Sequence, residues 1–360
     1  MINLIKISNF KSIREMDLKL LPINVLIGAN GAGKSNFINF FKLIYNIYFQ
    51  NLQNYIAEEA GAENILYNGL KQSERLWGRI EFDERNAYLF TLKPNLQGSL
   101  YFEHESTQFY QGMFGREYWD DKPLGNGHLE SVMIDKKTGG RYGYIKNYMS
   151  SFKIFHFHDT SKTAKIKQKG NIDENQYLLE DAGNLAAYLY FLQEKHPKSF
   201  KKIEMLVRSV APYFDCFVLE PDRIREDKIQ LAWKQKGSDM RMYAMQLSDG
   251  TLRFMALATL LLQPELPATI IIDEPELGLH PFAINKLAGL IKKASVQSQI
   301  IISTQSVNLV DNFSPEDIIT VDREDNQSVF VRQNSESLKD WMQEYSIGDL
   351  WNKNVIGGTP

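Results

Sequence analysis

The 360 residues include a single cysteine, Cys216, which excludes an internal disulfide framework and the zinc sites that need several thiolates. A lone thiol of this kind reads as a small buried hydrophobe in a reducing compartment. Charge of one sign is scarce as well. The formal net charge is -3, too small for a global field that attracts nucleic acid, so any DNA or RNA contact needs a local basic face. No apolar run approaches the ~20 residues of a membrane helix, and no charged segment followed by an apolar stretch opens the chain. The expectation is a cytoplasmic protein with no membrane partner. Internal repeats, low-complexity tracts and sustained heptads are missing too, which argues against long coiled-coil arms. What the chain does have is a hydrophobic content of 43%, enough for one large or two modest domains with a substantial core.

Residues 2 to 7 alternate apolar and polar, and Pro22-Ile23-Asn24-Val25-Leu26-Ile27 runs into a glycine-rich loop; both predict strands. Beyond the loop, Phe37 to Ile44 repeats its apolar positions at helical spacing, so strand, loop and helix follow in that order. From Leu76 to Phe109 short alternating runs predict a small antiparallel sheet, and Phe114 to Gly143, rich in Gly, Asp and Lys, reads as an irregular surface excursion. Helical patterns near Asp181 to Leu192 and from Phe200 to Val210 suggest an inserted helical layer. Ile229 to Trp233 reads as a strand, and helix and apolar strand then alternate up to Ile302, which predicts a parallel α/β sheet. The expected division is a core of residues 1–155 and 228–360, antiparallel sheet included, with residues 156–227 as a helical insert or lid.

Gly28-Ala29-Asn30-Gly31-Ala32-Gly33-Lys34-Ser35 fits G-x-x-x-x-G-K-[ST] at every fixed position. Glycines let the backbone curl until successive N–H groups and a helix N-terminus face phosphate, and the flanking strand and helix argue against a chance glycine-rich turn. The expected nucleotide-binding residues are Asn30, Gly31, Ala32, Gly33, Lys34, Ser35 and Asn36, with Lys34 offsetting β/γ charge and Ser35 giving an oxygen to Mg²⁺. Ala268 to Ile272 is an apolar strand ending in Asp273 and Glu274, then stopped by Pro275. Two solvated acids at a strand end are the alternative; with a phosphate loop in the same chain, Asp273 is the expected Mg²⁺ ligand and Glu274 the base for the attacking water. Ser248 caps an apolar helix from Leu252 onward. Ile300-Ile301-Ile302 breaks into Ser303-Thr304-Gln305, which places a hydrogen-bonding amide at a strand end.

Leu247-Ser248-Asp249-Gly250-Thr251, just upstream of the Asp-Glu strand, resembles the signature motif of ABC-type ATPases, LSGGQ. The resemblance implies that Ser248, Gly250 and their helix N-terminus reach across a dimer interface to ATP held by another subunit. Asp249 stands where a glycine is usual and Thr251 where a glutamine is usual, and an acid there repels a triphosphate unless it turns away or pairs. Glu276-Leu277-Gly278-Leu279-His280-Pro281 resembles the D-loop region of RecF/SMC-like and OLD-like ATPases, and Asn9-Phe10-Lys11-Ser12 resembles their opening turn. Gln305 stands where such proteins commonly carry a switch histidine; it is expected at the catalytic site, with general-base work falling more heavily on Glu274, and a polar strand end with no catalytic part is the alternative. Phe155 to Ser161 and Leu350 to Gly358 resemble one bacterial subgroup. The implied fold is an ABC-type P-loop ATPase head, a mixed sheet flanked by helices, with an antiparallel β subdomain, a helical insert and no long coiled coil.

Two further features have two readings each. His156 and His158 share one strand face beside Asp159, a spacing compatible with a metal, although two imidazoles without a third ligand favour hydrogen-bonded packing. Lys162, Lys165, Lys167 and Lys169 could meet phosphates, yet a solvated loop is the preferred reading. Taken together, the resemblance implies an ATP- and Mg²⁺-dependent homodimer or higher oligomer that acts as a switch in DNA maintenance or phage defence. Nucleic acid and a separate effector protein are its candidate partners, since no nuclease carboxylate cluster stands out beyond the ATPase motifs. The alternative is a nucleotide-gated partner-binding module with little or no turnover. A transporter's nucleotide subunit is a third, which Asn9 to Ser12 and Glu276 to Pro281 argue against.

Overall fold

Strands with uninterrupted apolar runs need cover on both faces. Ile23–Gly28 and Gln299–Thr304 are buried at every position, and both lie inside one six-stranded sheet. The computed structural model describes residues 1–113 and 116–358. In it the sheet runs from edge to edge as Gln327–Arg332, Ile318–Glu324, Ile23–Gly28, Gln299–Thr304, Thr269–Asp273 and Phe152–Phe155. Every neighbouring pair is parallel except the first, a hairpin turned at Asp325 and Asn326. Both turn residues adopt positive φ, as a tight two-residue hairpin requires.

Side chains alternate between the faces of this sheet, so that Val25 and Ile27 join one core and Leu26 the other. The first face carries the helices Leu185–Lys195, Pro197–Val210, Asp249–Leu262 and Pro281–Ala294. The second carries Lys34–Tyr48, whose Phe37, Phe40, Phe41 and Ile44 are wholly buried between the mixed sheet and an antiparallel one. At 15 residues it is the longest helix among the described residues, and none of them is long and apolar enough to cross a membrane.

The antiparallel sheet is larger than the alternation from Leu76 to Phe109 suggested. Its order is Ile13–Lys19, Ile2–Phe10, Leu76–Phe82, Asn86–Pro94, Leu100–Met113 and Arg116–Gly125, so the chain's opening strand pairs with residues some seventy positions away. The irregular excursion expected from Phe114 to Gly143 holds over residues 126–139 and is corrected on either side, where Arg116–Gly125 is a strand and Gly140–Met149 a helix, while Phe114 and Gly115 lie outside the described residues. Arg116–Gly125 is an edge strand. Its Asp120, Asp121, Lys122 and Pro123 are the residues that keep an open edge from pairing further, and they disguise the strand pattern.

The strand expected at Ile229 to Trp233 divides in two. Lys228–Ile229 pairs with Gly170–Asn171, and Ala232–Gln235 pairs with Phe214–Phe217 and Arg241–Tyr243. The latter sheet, with Cys216 only half-buried in it, spans the 227/228 boundary drawn from the sequence. The two helices of the expected insert share one core with Asp249–Leu262 and Pro281–Ala294.

Candidate functional site

The strand Ile23–Gly28 delivers residues 29–33 to the N-terminus of the helix Lys34–Tyr48. Gly33 sits at φ 122, and a Cβ there would lie 2.0 Å from Ser328 Oγ, so only glycine fits. That hydroxyl donates to Ala32 O at 2.5 Å and lies 2.6 Å from Ser12 Oγ, which accepts from Asn36 Nδ2 at 2.7 Å. Two serines from opposite ends of the chain thus brace the loop from behind. Asn36, expected at the nucleotide, spends its side-chain amide on this brace; its backbone N–H belongs to the first helical turn, where no intrahelical acceptor exists. Lys34 folds its ammonium onto Gly28 O at 2.6 Å and Ala29 O at 3.0 Å. Burial pushes its pKa down, against the attraction of Glu274, Asp273 and Glu276. Ser35 is exposed in the same turn.

Sheet register decides what faces the loop. Ile27 is level with Thr304, and Asp273 with Ser303, so Gln305 leaves its strand between the phosphate loop and the two carboxylates. Ser303 donates its hydroxyl to Asp273 Oδ1, fixing that half-exposed carboxylate. Glu274 has a φ of 43, a left-handed conformation that costs a non-glycine residue about 1–2 kcal/mol. Its N–H donates to Ser303 O at 2.9 Å, which helps to hold it there. Gln305 Nε2 donates to Glu274 Oε1. The strained residue thus has its carboxylate in contact with Gln305.

Residues outside the set expected at the catalytic site complete this cluster. Glu276 Oε1 accepts from Thr304 Oγ1 at 2.5 Å and from Gln305 N at 3.1 Å, while its solvent-inaccessible Oε2 has no partner among the described residues. Burial raises the Glu276 pKa, although these hydrogen bonds pull the other way. His158 Nε2 lies 2.9 Å from Asp273 O, so this imidazole braces the carboxylate strand. His156, 6.2 Å away ring to ring, has a buried Nε2 without a partner among the described residues, and burial lowers its pKa. Among the described residues no three His, Cys, Asp or Glu side chains converge as a metal-ligand group. His280 and Pro281 begin a helix: His280 Nδ1 accepts from Phe282 N at 3.2 Å and Pro281 takes the first turn.

Ser248 caps Asp249–Leu262, accepting from Thr251 N at 3.2 Å. Gly250 packs on the loop after the carboxylates, where a Cβ would meet Gly278 O at 2.2 Å. Arg253 then ties three segments together, donating to Leu277 O at 2.9 Å, Phe157 O at 3.0 Å, His158 O at 2.8 Å and Thr160 Oγ1 at 3.3 Å. Ser248 and Gly250 are thus anchored beside the carboxylate-side loop of their own chain, not to its phosphate loop. Asp249 pairs with Lys167 at 3.0 Å, and that hydrogen bond is the main cause of its lowered pKa. The solvated reading of the lysine stretch is therefore corrected at Lys167, which is buried. No local pattern marks it, because its partner is 82 residues away.

Residues 1–207 match the family described as "AAA ATPase domain", and residues 143–311 match that described as "AAA domain, putative AbiEii toxin, Type IV TA system". A protein of Mycoplasma genitalium named "Putative ABC transporter ATP-binding protein" is 25% identical over 173 residues, 44% of this chain and 48% of that one. The chain thus spans about half the length of that relative. Among solved structures, an SMC head bound to the C-terminal winged-helix domain of ScpA superposes with a TM-score of 0.60 at 15% identity, over 94% of this chain and 99% of that one. An SMC head with an extended coiled coil, bound to the C-terminal domain of ScpA from Pyrococcus furiosus, gives 0.58 at 15% identity, over 96% and 99%. At such identity the likeness is one of fold, and it agrees with the head architecture expected from the sequence.

Proposed function

We propose that this chain, which belongs to the AAA ATPase domain family, binds ATP with Mg²⁺ and hydrolyses it in a site completed by a second copy of itself. By family, relative and fold the chain is an ABC/SMC-like ATPase. One observation carries the finer reading: Lys34, Asp273, Glu274 and Gln305 gather at one edge of three adjacent strands, while Ser248 and Gly250 are fastened to the carboxylate-side loop. A signature helix fixed in that way has a triphosphate to meet only on another molecule.

In this reading Lys34 exchanges the carbonyls of Gly28 and Ala29 for β/γ oxygens, and the N–H groups from Asn30 to Asn36 receive the phosphate chain. The exposed Ser35 hydroxyl and the Asp273 carboxylate are hard oxygen donors of the kind Mg²⁺ takes, and Ser303 holds only Oδ1 of the latter. The ion's contribution when bound is to offset the charge on the β- and γ-phosphates. Glu274 orients and deprotonates water, a role worth ~10²–10⁴-fold for a positioned base. Gln305 keeps the carboxylate in place through its amide and takes no proton. Ser248 and Gly250 of the facing copy bring a helix N-terminus to the γ-phosphate, so ATP favours the closed dimer and cleavage loosens it.

The description matched by residues 143–311 names a toxin of a type IV toxin–antitoxin system; we place the switch in phage defence on that ground, with a separate effector protein as its candidate partner and DNA maintenance as the other setting. In either setting the switch acts in the cytoplasm, with nucleic acid as the candidate trigger. The test is light scattering with and without ATP and Mg²⁺, together with ATP turnover with and without duplex or single-stranded DNA. A protein that stays monomeric and indifferent to nucleotide sinks the composite site; the absence of both stimulation and salt-sensitive DNA binding sinks the nucleic-acid role. Glu274→Gln is expected to trap an ATP-bound dimer.

A second reading, a nucleotide-gated partner-binding module with little turnover, draws on the Gln305 amide that engages the Glu274 carboxylate. Parental turnover so slow that Glu274→Gln leaves it unchanged would favour that module.

A further inference from the structure

An aspartate as the first residue of the signature helix presents a conflict. A carboxylate there is favourable to the helix, because it faces the positive end of the macrodipole. The same end is what the composite-site reading offers to a γ-phosphate, so Asp249 competes with the ligand for it and repels it. Lys167 lies against this conflict. Its neighbours Lys165 and Lys169 are exposed and pair with Asp181 at 3.1 Å and Asp222 at 2.5 Å. Lys167 alone of the three is buried: its side chain is 8% exposed, and its ammonium donates to Thr160 O and to Asp249 Oδ1 at 3.0 Å. A lysine gives up hydration on that scale only where other groups replace it. The backbone around it is fixed as well, by the 3-10 turn Lys165–Lys167 and by Gln230 Nε2, which donates to Lys167 O at 3.1 Å. Thr160, the other anchor of the ammonium, also meets Arg253. The ammonium is thus built into the base of the signature helix and cannot swing away as a surface lysine would.

We infer that Lys167 is a positioning residue that masks the charge of Asp249, so that a signature helix beginning with an acid can still dock on a triphosphate. The inference rests on the composite-site reading. The role is electrostatic, so the damage from losing the ammonium is undone by removing the carboxylate as well. A purely structural role for the ion pair predicts the reverse, that losing either partner is harmful and losing both no better.

The experiment uses the full chain carrying Glu274→Gln, with dimerisation by ATP and Mg²⁺ followed by light scattering across a protein dilution series. Added to that background, Lys167→Met is expected to weaken dimerisation at least tenfold, Asp249→Asn to leave it equal or tighter, and the double variant to return within threefold of the background. The melting temperature without nucleotide is recorded for each. If Lys167→Met does not fold, Asp249→Asn still decides, because weaker dimerisation in that variant overturns the masking role. Equal dimerisation with and without Lys167→Met overturns it too, as does a double variant no better than Lys167→Met alone. Dimerisation in none of the proteins, the Glu274→Gln background included, overturns the composite site and this inference with it.

Discussion

Replacing Glu276 separates the two things its carboxylate does. Oε1 accepts from Thr304 Oγ1 and from the backbone N–H of Gln305, while Oε2 is out of solvent with no partner among the described residues. Glu276→Ala removes the acceptor from both donors. Thr304 is wholly buried, so its hydroxyl bears the full penalty of an unsatisfied donor, about 1–3 kcal/mol; Gln305 is exposed, and water takes over most of its share. The expected loss is therefore about 1–3 kcal/mol of unfolding free energy. Turnover is expected to fall about tenfold, since the Gln305 backbone is no longer fixed where its amide reaches Glu274. Glu276→Gln keeps an acceptor oxygen in place and removes the charge. Burial raises the pKa of the parental carboxyl, so its contribution to stability is complete below the ordinary glutamate range and is lost as pH rises through the elevated native value. The Gln variant has no such loss, so its melting temperature relative to the parent should rise from acid to neutral pH. Urea denaturation and thermal scans across that range, with ATP turnover at neutral pH, provide the measurements. Equal damage from Gln and Ala, or the same difference between Gln and parent at both ends of the range, would refute these roles for the Glu276 carboxylate.

Lys34→Met should abolish the rise in melting temperature caused by ATP and Mg²⁺ and change the nucleotide-free stability by no more than about 1–3 kcal/mol, because relief of a cation whose charged form burial disfavours offsets the donors lost to Gly28 O and Ala29 O; a nucleotide-induced rise that survives in the variant would contradict this. Gly33→Ala places a Cβ against Ser328 Oγ at a positive φ, so a destabilisation of about 1–3 kcal/mol and loss of nucleotide binding are expected by denaturation and calorimetry. Arg253→Ala strands the carbonyls of Leu277, Phe157 and His158 and should lower stability by about 2–4 kcal/mol in urea titrations. Arg253→Lys should recover only part of that, since an ammonium cannot span the positions a planar guanidinium reaches.

The phosphate loop, the Asp273-Glu274 strand end and the Gln305 strand end were legible because each is a contiguous motif on an apolar strand that must be central to a sheet. Ser248 was legible as a cap for the same local reason. What escaped depends on residues far apart in the chain. Ile2–Phe10 alternates like any strand, yet only its pairing with Leu76–Phe82 assigns it to the antiparallel sheet rather than the nucleotide-binding one. The charged, proline-bearing edge strand Arg116–Gly125 looks like a loop because an edge selects such residues. Ser12 reads in the sequence as part of a turn, and its use as a brace depends on Ser328, 316 positions away, lying beside it. Lys167 sits in a run of lysines that are alike in sequence and differ only in what the fold places next to them.

The same long-range bonds bear on how a switch of this kind would work. Arg253, five residues after the cap Ser248, holds the carbonyl of His158, and His158 in turn holds the carbonyl of Asp273. The element proposed to meet the neighbour's nucleotide is therefore joined by two hydrogen bonds to the metal-side carboxylate strand of its own subunit. Gly250 against Gly278 adds a contact too close for any side chain, so the helix start and the carboxylate-side loop cannot slide independently. Under the composite-site proposal each subunit then presents a rigid unit that spans half of each of two sites, and a shift at one γ-phosphate displaces the groups serving the other. Arg253→Lys tests this coupling. If two ATP molecules act through that unit, the variant should lose cooperativity in the ATP dependence of turnover before it loses ATP affinity; an unchanged Hill coefficient alongside weakened binding would show that the bonds only stabilise the fold.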